Sequence, residues 1–183
     1  MKKNKISAVI NTWNESKNLA ECLDTLGFVD EIIVVDMEST DNTVEIAKQY
    51  TDKVYSHPYV GYVDPARNFA LKKASGNWLL IVDADERISA SLREEISELT
   101  NNPINKYNGY YLRRKDFMWK RELAYGETGN IKLLRLAKKN AGRWEGKIHE
   151  RWKINGKVGQ FENPLFHYPH QSIAEFLKEI NFY

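Results

Sequence analysis

Leu79-Leu80-Ile81-Val82-Asp83-Ala84-Asp85-Glu86 decides how this chain is read: four apolar residues run straight into three carboxylates set around one alanine. An apolar run of this length suits a strand covered on both faces, as in a parallel sheet. Polar groups at the end of such a strand lie at the edge where open α/β sheets collect their ligands. In an extended segment residues i and i+2 share a face, so Asp83 and Asp85 can converge on one cation or one polar ligand. Taken alone, the same aspartates also suit an ordinary turn followed by a helix N-cap.

Upstream, strand and helix patterns alternate with short connections. A β-prone run over 6–10 stops at Asn11-Thr12-Trp13-Asn14-Glu15. A helical face of Leu19, Leu23 and Leu26 follows, with Cys22 packed beside it and Gly27 closing it. A second strand over 31–35 ends at Asp36, after which Thr40 or Asp41 caps a helix carrying Val44, Ala47 and Tyr50. A brief strand over 53–56 precedes Asp64-Pro65, a helix start that faces Ala66, Phe69, Ala70 and Ala74 inward until Gly76. This alternation predicts a parallel sheet of right-handed crossovers. The polar ends of three strands, Thr12/Asn14/Glu15, Asp36/Glu38 and Asp83/Asp85/Glu86, then share one edge and border one crevice.

Downstream, a helix after Ser89 carries Leu92, Ile96 and Leu99 and ends at Asn101-Asn102-Pro103. From Tyr107 the pattern becomes aromatic and β-prone, over 107–112, 131–136, 144–152 and 157–161, with loops at 126–129 and 138–142. This predicts an antiparallel addition to the parallel sheet. Ser172-Ile173-Ala174-Glu175 forms a capping box, and the helix it opens runs to Tyr183 with no stop signal, as if cut short. The expectation is one α/β domain over 1–183, with halves at 1–103 and 104–171 and the start of a helix at 172–183.

The bulk numbers narrow the function classes. The 183 residues suffice for one sizeable core. No apolar run approaches the ~20 residues that span a bilayer, and Met1-Lys2-Lys3-Asn4-Lys5 leads into a strand rather than a signal-peptide core. One cysteine excludes an internal disulfide and a multi-cysteine zinc site, and fits a reducing cytoplasm. The net charge of +2 hides an asymmetry, because 106–157 holds fifteen Lys/Arg against five Asp/Glu while the first hundred residues lean acidic. That basic segment includes Trp119, Trp144 and Trp152. Such a mixture suits nucleic acid, an anionic membrane surface or phosphorylated sugars, and equally a solvated face around core aromatics.

The ordered set Ile10-Asn11-Thr12-Trp13-Asn14-Glu15, Val35-Asp36-Met37-Glu38-Ser39-Thr40-Asp41-Asn42-Thr43, Ala66-Arg67-Asn68 and Asp83-Ala84-Asp85 resembles family 2 glycosyltransferases. The later Gly142-Arg143-Trp144-Glu145-Gly146-Lys147-Ile148-His149-Glu150 and Leu165-Phe166-His167 resemble the branch with lipopolysaccharide-core glucosyltransferases. The chain departs from the family pattern at Asn11, where proline is common, and at Met37-Glu38, where Asp-Gly or Ser-Gly is common. The resemblance implies a GT-A fold, with a Rossmann-like, mostly parallel sheet flanked by helices. It also implies a nucleotide-diphosphate sugar donor, foremost a UDP-sugar, a Mg²⁺ or Mn²⁺ ion, and inverting transfer of a hexose to a glycan or glycolipid hydroxyl. The 1–103 half would bind the donor and the 104–171 half would face the acceptor, in the cytoplasm at the inner face of the membrane, with peripheral association.

The resemblance also distributes roles. Asp36 would accept from the base, with Thr12, Asn14 and Glu15 near base and ribose. Asp83 and Ala84 would lie along the nucleotide sugar, Asp83 at the ribose or behind the metal. Asp85 would be the main metal ligand. His167 would be a further ligand or a diphosphate contact, with His170 adjacent to it. Arg67 would contact the diphosphate or hold the aspartate loop by a charge-assisted hydrogen bond. Inverting transfer needs a base for the acceptor hydroxyl, and Glu150 is the choice, with His149 and Glu145 next. Trp144 would stack on an acceptor sugar or pack the core. Two other readings are a sugar-phosphate nucleotidyltransferase, which conflicts with the lack of a Gly-rich phosphate loop near the N-terminus, and a nucleotide-sugar-binding module without turnover. Nucleic acid is not an expected partner, since the basic residues adjoin a carboxylate-lined crevice.

Overall fold

Ile6–Thr12 (β1), Glu31–Asp36 (β2), Val54–Ser56 (β3) and Trp78–Asp83 (β4) pair in parallel, as their apolar runs predict. The structure is a computed structural model that describes residues 4–59, 64–102, 104–119, 121–125, 131–146 and 151–169, with Ile173 and Leu177. Helices Leu19–Asp24 (α1), Thr43–Tyr50 (α2) and Asp64–Lys73 (α3) make the crossovers. After β4 come Glu86–Ile88 (β5), Ala90–Asn101 (α4), Gly109–Met118 (β6), Arg121–Glu122 (β7), Ile131–Lys138 (β8), Gly142–Glu145 (β9), Arg151–Ile154 (β10) and Val158–His167 (β11). Among the described residues the main sheet runs β3-β2-β1-β4-β8-β6-β11-β5, with β7 attached to β6, and β9–β10 form a separate antiparallel ribbon.

The two-residue pleat sorts the core. Ala8, Ile10, Leu80 and Val82 point to the face covered by α1 and α4, where they meet Leu19, Leu23, Leu92 and Ile96. Val9, Leu79 and Ile81 point to the other face, against Ala66 and Ala70 of α3, Ala74 just after it, and Trp144 and Trp152 of the ribbon. Small alanines let α3 lie close to the sheet. By the same alternation Asp83 emerges on the α3 face. Ser89 caps α4 by accepting from the Leu92 amide (3.2 Å). At α2 the cap position is Asn42, whose side chain makes no cap bond, while Asp41 accepts from the Thr43 amide (3.0 Å).

The C-terminal half is the expected antiparallel addition, with one parallel pair inside it. It joins the parallel strands through β8, antiparallel to both β4 and β6, but β11 then runs parallel to β6. The β-prone segment over 144–152 supplies two strands of a ribbon, Trp144 facing Trp152 across the pair. Two irregularities shape the sheet. Tyr110 pairs with Leu136 and Tyr111 with Leu134, so Arg135 is the extra residue of a bulge. On β11 the register slips between Gln160 and Pro164, where proline is tolerated because the ladder is already broken. Glu95 of α4 accepts there from the amides of Glu162 (2.9 Å) and Asn163 (3.0 Å). The expected loop at 126–129 lies outside the described residues, as does most of 172–183.

Gly76 packs where a Cβ would sit 2.6 Å from Ser7 Oγ and 2.8 Å from the Ser7 amide nitrogen, whereas a Cβ at Gly27 would meet nothing within 4 Å. Gly76→Ala is therefore expected to destabilise the fold by about 1–3 kcal/mol. Gly27→Ala should stay within about 0.5 kcal/mol of the parent. Urea unfolding of both variants checks this, and equal losses would contradict the packing described.

Candidate active site

The carboxyl ends of β1, β2 and β4 open into a cavity of ≈ 320 Å³, whose wall includes Thr12, Glu15, Arg67, Asp83, Ala84 and Asp85, with His167 from the end of β11. Three adjacent parallel strands deliver their polar ends to one edge, as the sequence predicts. Asn11, Met37 and a stacked pair, Trp13 and Tyr59, complete the wall. The two rings lie 4.7 Å apart at 5° and each is 44% exposed.

The floor is an ion network. Arg135, carried on the bulge of β8, donates Nη2 to Asp83 Oδ2 and to Glu86 Oε1 (2.8 Å). Arg67, from α3, donates to the other Asp83 oxygen (3.0 Å) and lies 4.4 Å over the Trp144 ring. Glu86 is fully buried and its Oε2 accepts from the Asp83 amide (2.9 Å), which closes the turn between β4 and β5. Burial works to raise the Asp83 pKa, but the two guanidinium groups prevail and hold its carboxyl well below the usual range. Burial pushes Glu86 up to about 7 despite Arg135.

With both Asp83 oxygens engaged, Asp85 presents the turn's other carboxylate. His167 Nε2 stands 3.1 Å from Asp85 Oδ2, and Nδ1 stands 2.8 Å from Asp116 Oδ1. The register explains the meeting, because beyond the β11 slip His167 pairs with Asp116 on one side and with Glu86 on the other. Arg114 holds Asp116 from behind, donating Nη2 to Oδ2 at 3.0 Å. Burial would lower the His167 pKa, but the Asp85 carboxylate outweighs it and raises it. Each ring nitrogen thus faces a carboxylate, which favours the protonated imidazole.

Asp85 and His167 are a fitting pair for a hard divalent ion. Two neighbouring ligands of an octahedral ion with bonds of about 2.1 Å are about 3.0 Å apart, close to the spacing of Asp85 Oδ2 and His167 Nε2. Asp116 supplies the carboxylate that fixes a ligating imidazole through its other nitrogen. No cluster of three potential protein ligands exists among the described residues, so such an ion would need further oxygens from its cargo or from water. Deeper in the crevice, Thr12 Oγ1, Asp36 Oδ1 and both Asn11 amide atoms are buried without a hydrogen-bond partner, an arrangement that suits a polar ligand. Glu15, which accepts from Asn18 Nδ2 (2.9 Å), is pushed up to about 7, chiefly by burial and further by Asp85 and Asp83.

The structure thus brings together Thr12, Glu15, Arg67, Asp83, Ala84, Asp85 and His167. Asp36 lies beneath them, its Oδ2 accepting from the Ser39 amide (3.0 Å). Asn14 is not on the wall; at φ 54° it accepts from the Thr40 amide (2.7 Å) and ties two loops together. Glu38, at φ 61°, is exposed and also off the wall. Trp144 is buried, stacked on Trp152 (centroids 5.7 Å apart), with its backbone clamped by Asn68. Glu150, His149 and His170 lie outside the described residues. The sequence reading missed Arg135, Asp116 and Arg114. For Arg135 the available signal was an isolated charge within the predicted strand over 131–136, since a buried strand rarely carries one unpaired, whereas Arg114 and Asp116 lie beyond the strand expected over 107–112.

Comparison with known proteins gives the family and the fold. The profile of Glycosyl transferase family 2 matches residues 7–148. The lipopolysaccharide core biosynthesis glycosyltransferase LpsC of Rhizobium meliloti is 32% identical over 84% of this chain and 59% of its own length. An uncharacterized glycosyltransferase of Rickettsia felis is 32% identical over 98% of this chain and 67% of its own. The chain thus spans about six tenths to two thirds of these curated relatives. In fold it is similar to Staphylococcus aureus TarS 1-349 in complex with UDP-GlcNAc (TM-score 0.60, 18% identity, 92% of this chain and 59% of that one). It is also similar to the mannosyltransferase PcManGT of Pyrobaculum calidifontis in complex with GDP-Man and Mn²⁺ (TM-score 0.50, 21% identity, 61% of this chain and 36% of that one). With its fold, its strand-end carboxylates and its matched profile in agreement, the chain belongs to glycosyl transferase family 2.

Proposed function

We propose that the chain is a metal-dependent, inverting hexosyltransferase that uses a nucleotide-diphosphate sugar, foremost a UDP-sugar. Its acceptor is a hydroxyl of a glycan or glycolipid such as a lipopolysaccharide core, reached at the inner face of the cell membrane. The observation that carries this reading is the Asp85–His167 pair, oriented by Asp116 beside a crevice of orphaned buried polar atoms. The nucleotide-sugar complexes of TarS and PcManGT, the Mn²⁺ of the latter and the name of LpsC support the donor, metal and acceptor classes.

In this reading Asp85 and His167 hold Mg²⁺ or Mn²⁺, which when bound offsets the charge gathering on the diphosphate as it leaves. Asp116 and Arg114 keep the imidazole in place. Asp83, with both oxygens taken, braces the turn behind the metal, and Arg67 is the guanidinium between that brace and the donor. Thr12 and Asp36 meet base and ribose through the atoms left without partners, with Glu15 on the wall beside them. Glu150 takes the proton from the acceptor hydroxyl as that oxygen attacks the anomeric carbon and the nucleotide departs from the opposite face. The flanking Gly146 and Arg151 line a larger cavity that adjoins the first at Arg67.

Asp85→Asn is expected to abolish the Mn²⁺-dependent part of UDP binding in calorimetry. Asp116→Asn, which releases the imidazole without touching the ion, should weaken it about 10–100-fold. Unchanged binding in both variants would remove the metal site. Glu150→Gln should keep UDP and Mn²⁺ binding but cut product-nucleotide release by about 10²–10⁴-fold, and full turnover would overturn that assignment.

The pH dependence has a definite sign. The raised His167 pKa means that its Nε2 carries a proton below that value, and an ion must displace it. Mn²⁺-dependent UDP binding should therefore strengthen as pH rises through the raised pKa, by about tenfold per unit below it, and level off above. A binding curve that falls with rising pH over that range would contradict the pairing.

A further inference from the structure

Between β8, the β9–β10 ribbon and α3 lies a second cavity of ≈ 970 Å³. Arg67 is common to both cavities, so the second begins where the donor crevice ends. Resting on the donor reading above, we propose that it binds the acceptor through anionic groups: an oligosaccharide carrying phosphate or carboxylate, rather than a neutral glycan.

The composition of the wall carries the inference. Five of its described lining residues are cationic, Arg67, Lys132, Arg135, Arg151 and Lys153, against a single acid, Glu145. No Asn, Gln, Ser, Thr, Asp or His lines it among the described residues. Neutral sugar hydroxyls both donate and accept, so a wall shaped for them needs amides and carboxylates. This wall offers donors almost alone, which is the complement of an oxyanion.

The cations differ in availability. Arg67 and Arg135 are committed to Asp83 and Glu86. Glu145 is shared by Arg143 (2.8 Å) and Lys153 (3.7 Å). Lys132 and Arg151 are exposed and have no carboxylate partner among the described residues, so they are the charges left to meet a ligand. The aromatics divide in the same way. Trp144 and Trp152 are 6% and 5% exposed and stack on each other, so they are wall structure, whereas Tyr111 is 40% exposed and offers a ring to a sugar face. A concave site of this size accommodates a few sugar units rather than a duplex or a bilayer surface.

The test is calorimetric titration of the protein, with UDP and Mn²⁺ present, by four probes. These are a phosphorylated lipopolysaccharide-core oligosaccharide, the same material after phosphatase treatment, a uronate-bearing oligosaccharide of similar size and a neutral one. The anionic probes should bind about tenfold or more tightly than the neutral ones, and rising salt should narrow the gap. The Lys132→Ala/Arg151→Ala double variant should lose the preference while binding UDP with Mn²⁺ as the parent does, which also reports that it is folded. Preference for the phosphorylated or the uronate probe alone supports the inference and identifies the anion. Equal binding of charged and neutral probes, no binding of any, or a preference that survives in the double variant overturns it. A parent protein that binds no UDP would instead sink the donor reading beneath it, a separate readout in the same samples.

Discussion

A single guanidinium holds the turn on which the site is built. Arg135 bridges Asp83 and Glu86, two carboxylates at the two ends of the β4–β5 turn, Asp83 at the crevice wall and Glu86 fully buried. Without it they would repel each other across that turn, and Glu86, already pushed up to about 7 by burial, would be left unpaired. Breaking a buried pair of this kind costs about 3–5 kcal/mol, mainly because the remaining charge has no compensation. What the bridge secures is the direction of the two residues between the anchored carboxylates. Ala84 lies against the crevice floor and Asp85 turns its carboxylate to His167.

The other half of the site depends on register. His167 reaches Asp85 because β11 slips at Pro164, is held there by Glu95, and then runs in step with β6 and β5. A one-residue change of register would turn the imidazole to the opposite face of the sheet. Asp116 and Arg114 sit on β6 alongside and fix the ring. The two ligand candidates are 82 residues apart in sequence, and each is oriented by a buried carboxylate–guanidinium pair from elsewhere in the sheet. Such preorganisation is what a site must have if binding is not to be spent on ordering it.

Much of this was legible in the sequence, and what was not has a physical reason. The apolar runs ending in Thr12, Asp36 and Asp83 gave the parallel strands and the shared edge, because burial on both faces leaves an uninterrupted pattern. Ser89 declared the start of α4, and the alanines of 66–74 declared a close-packed helix. The bulge at Arg135 was hidden, since one extra residue in a strand leaves the local composition unchanged and is defined only by the partner strand. Asp116 was masked by Arg113, Arg114 and Lys115, which made the stretch look like a solvated basic face. The parallel pairing of β6 with β11 and the split of 144–152 into a ribbon are long-range choices that periodicity does not encode. Asn14, chosen for its place in a motif, ties loops together, and Trp144, open between stacking and packing, is core.

The central claim is that Asp85 and His167 together hold the ion that accompanies the donor. Crystals grown with UDP and Mn²⁺, measured at the manganese absorption edge, test it most directly. The account predicts an anomalous peak about 2.1 Å from both an Asp85 carboxylate oxygen and His167 Nε2, with diphosphate oxygens completing the shell. UDP bound in the crevice with no peak there, or with the peak on Asp83 instead, would contradict it.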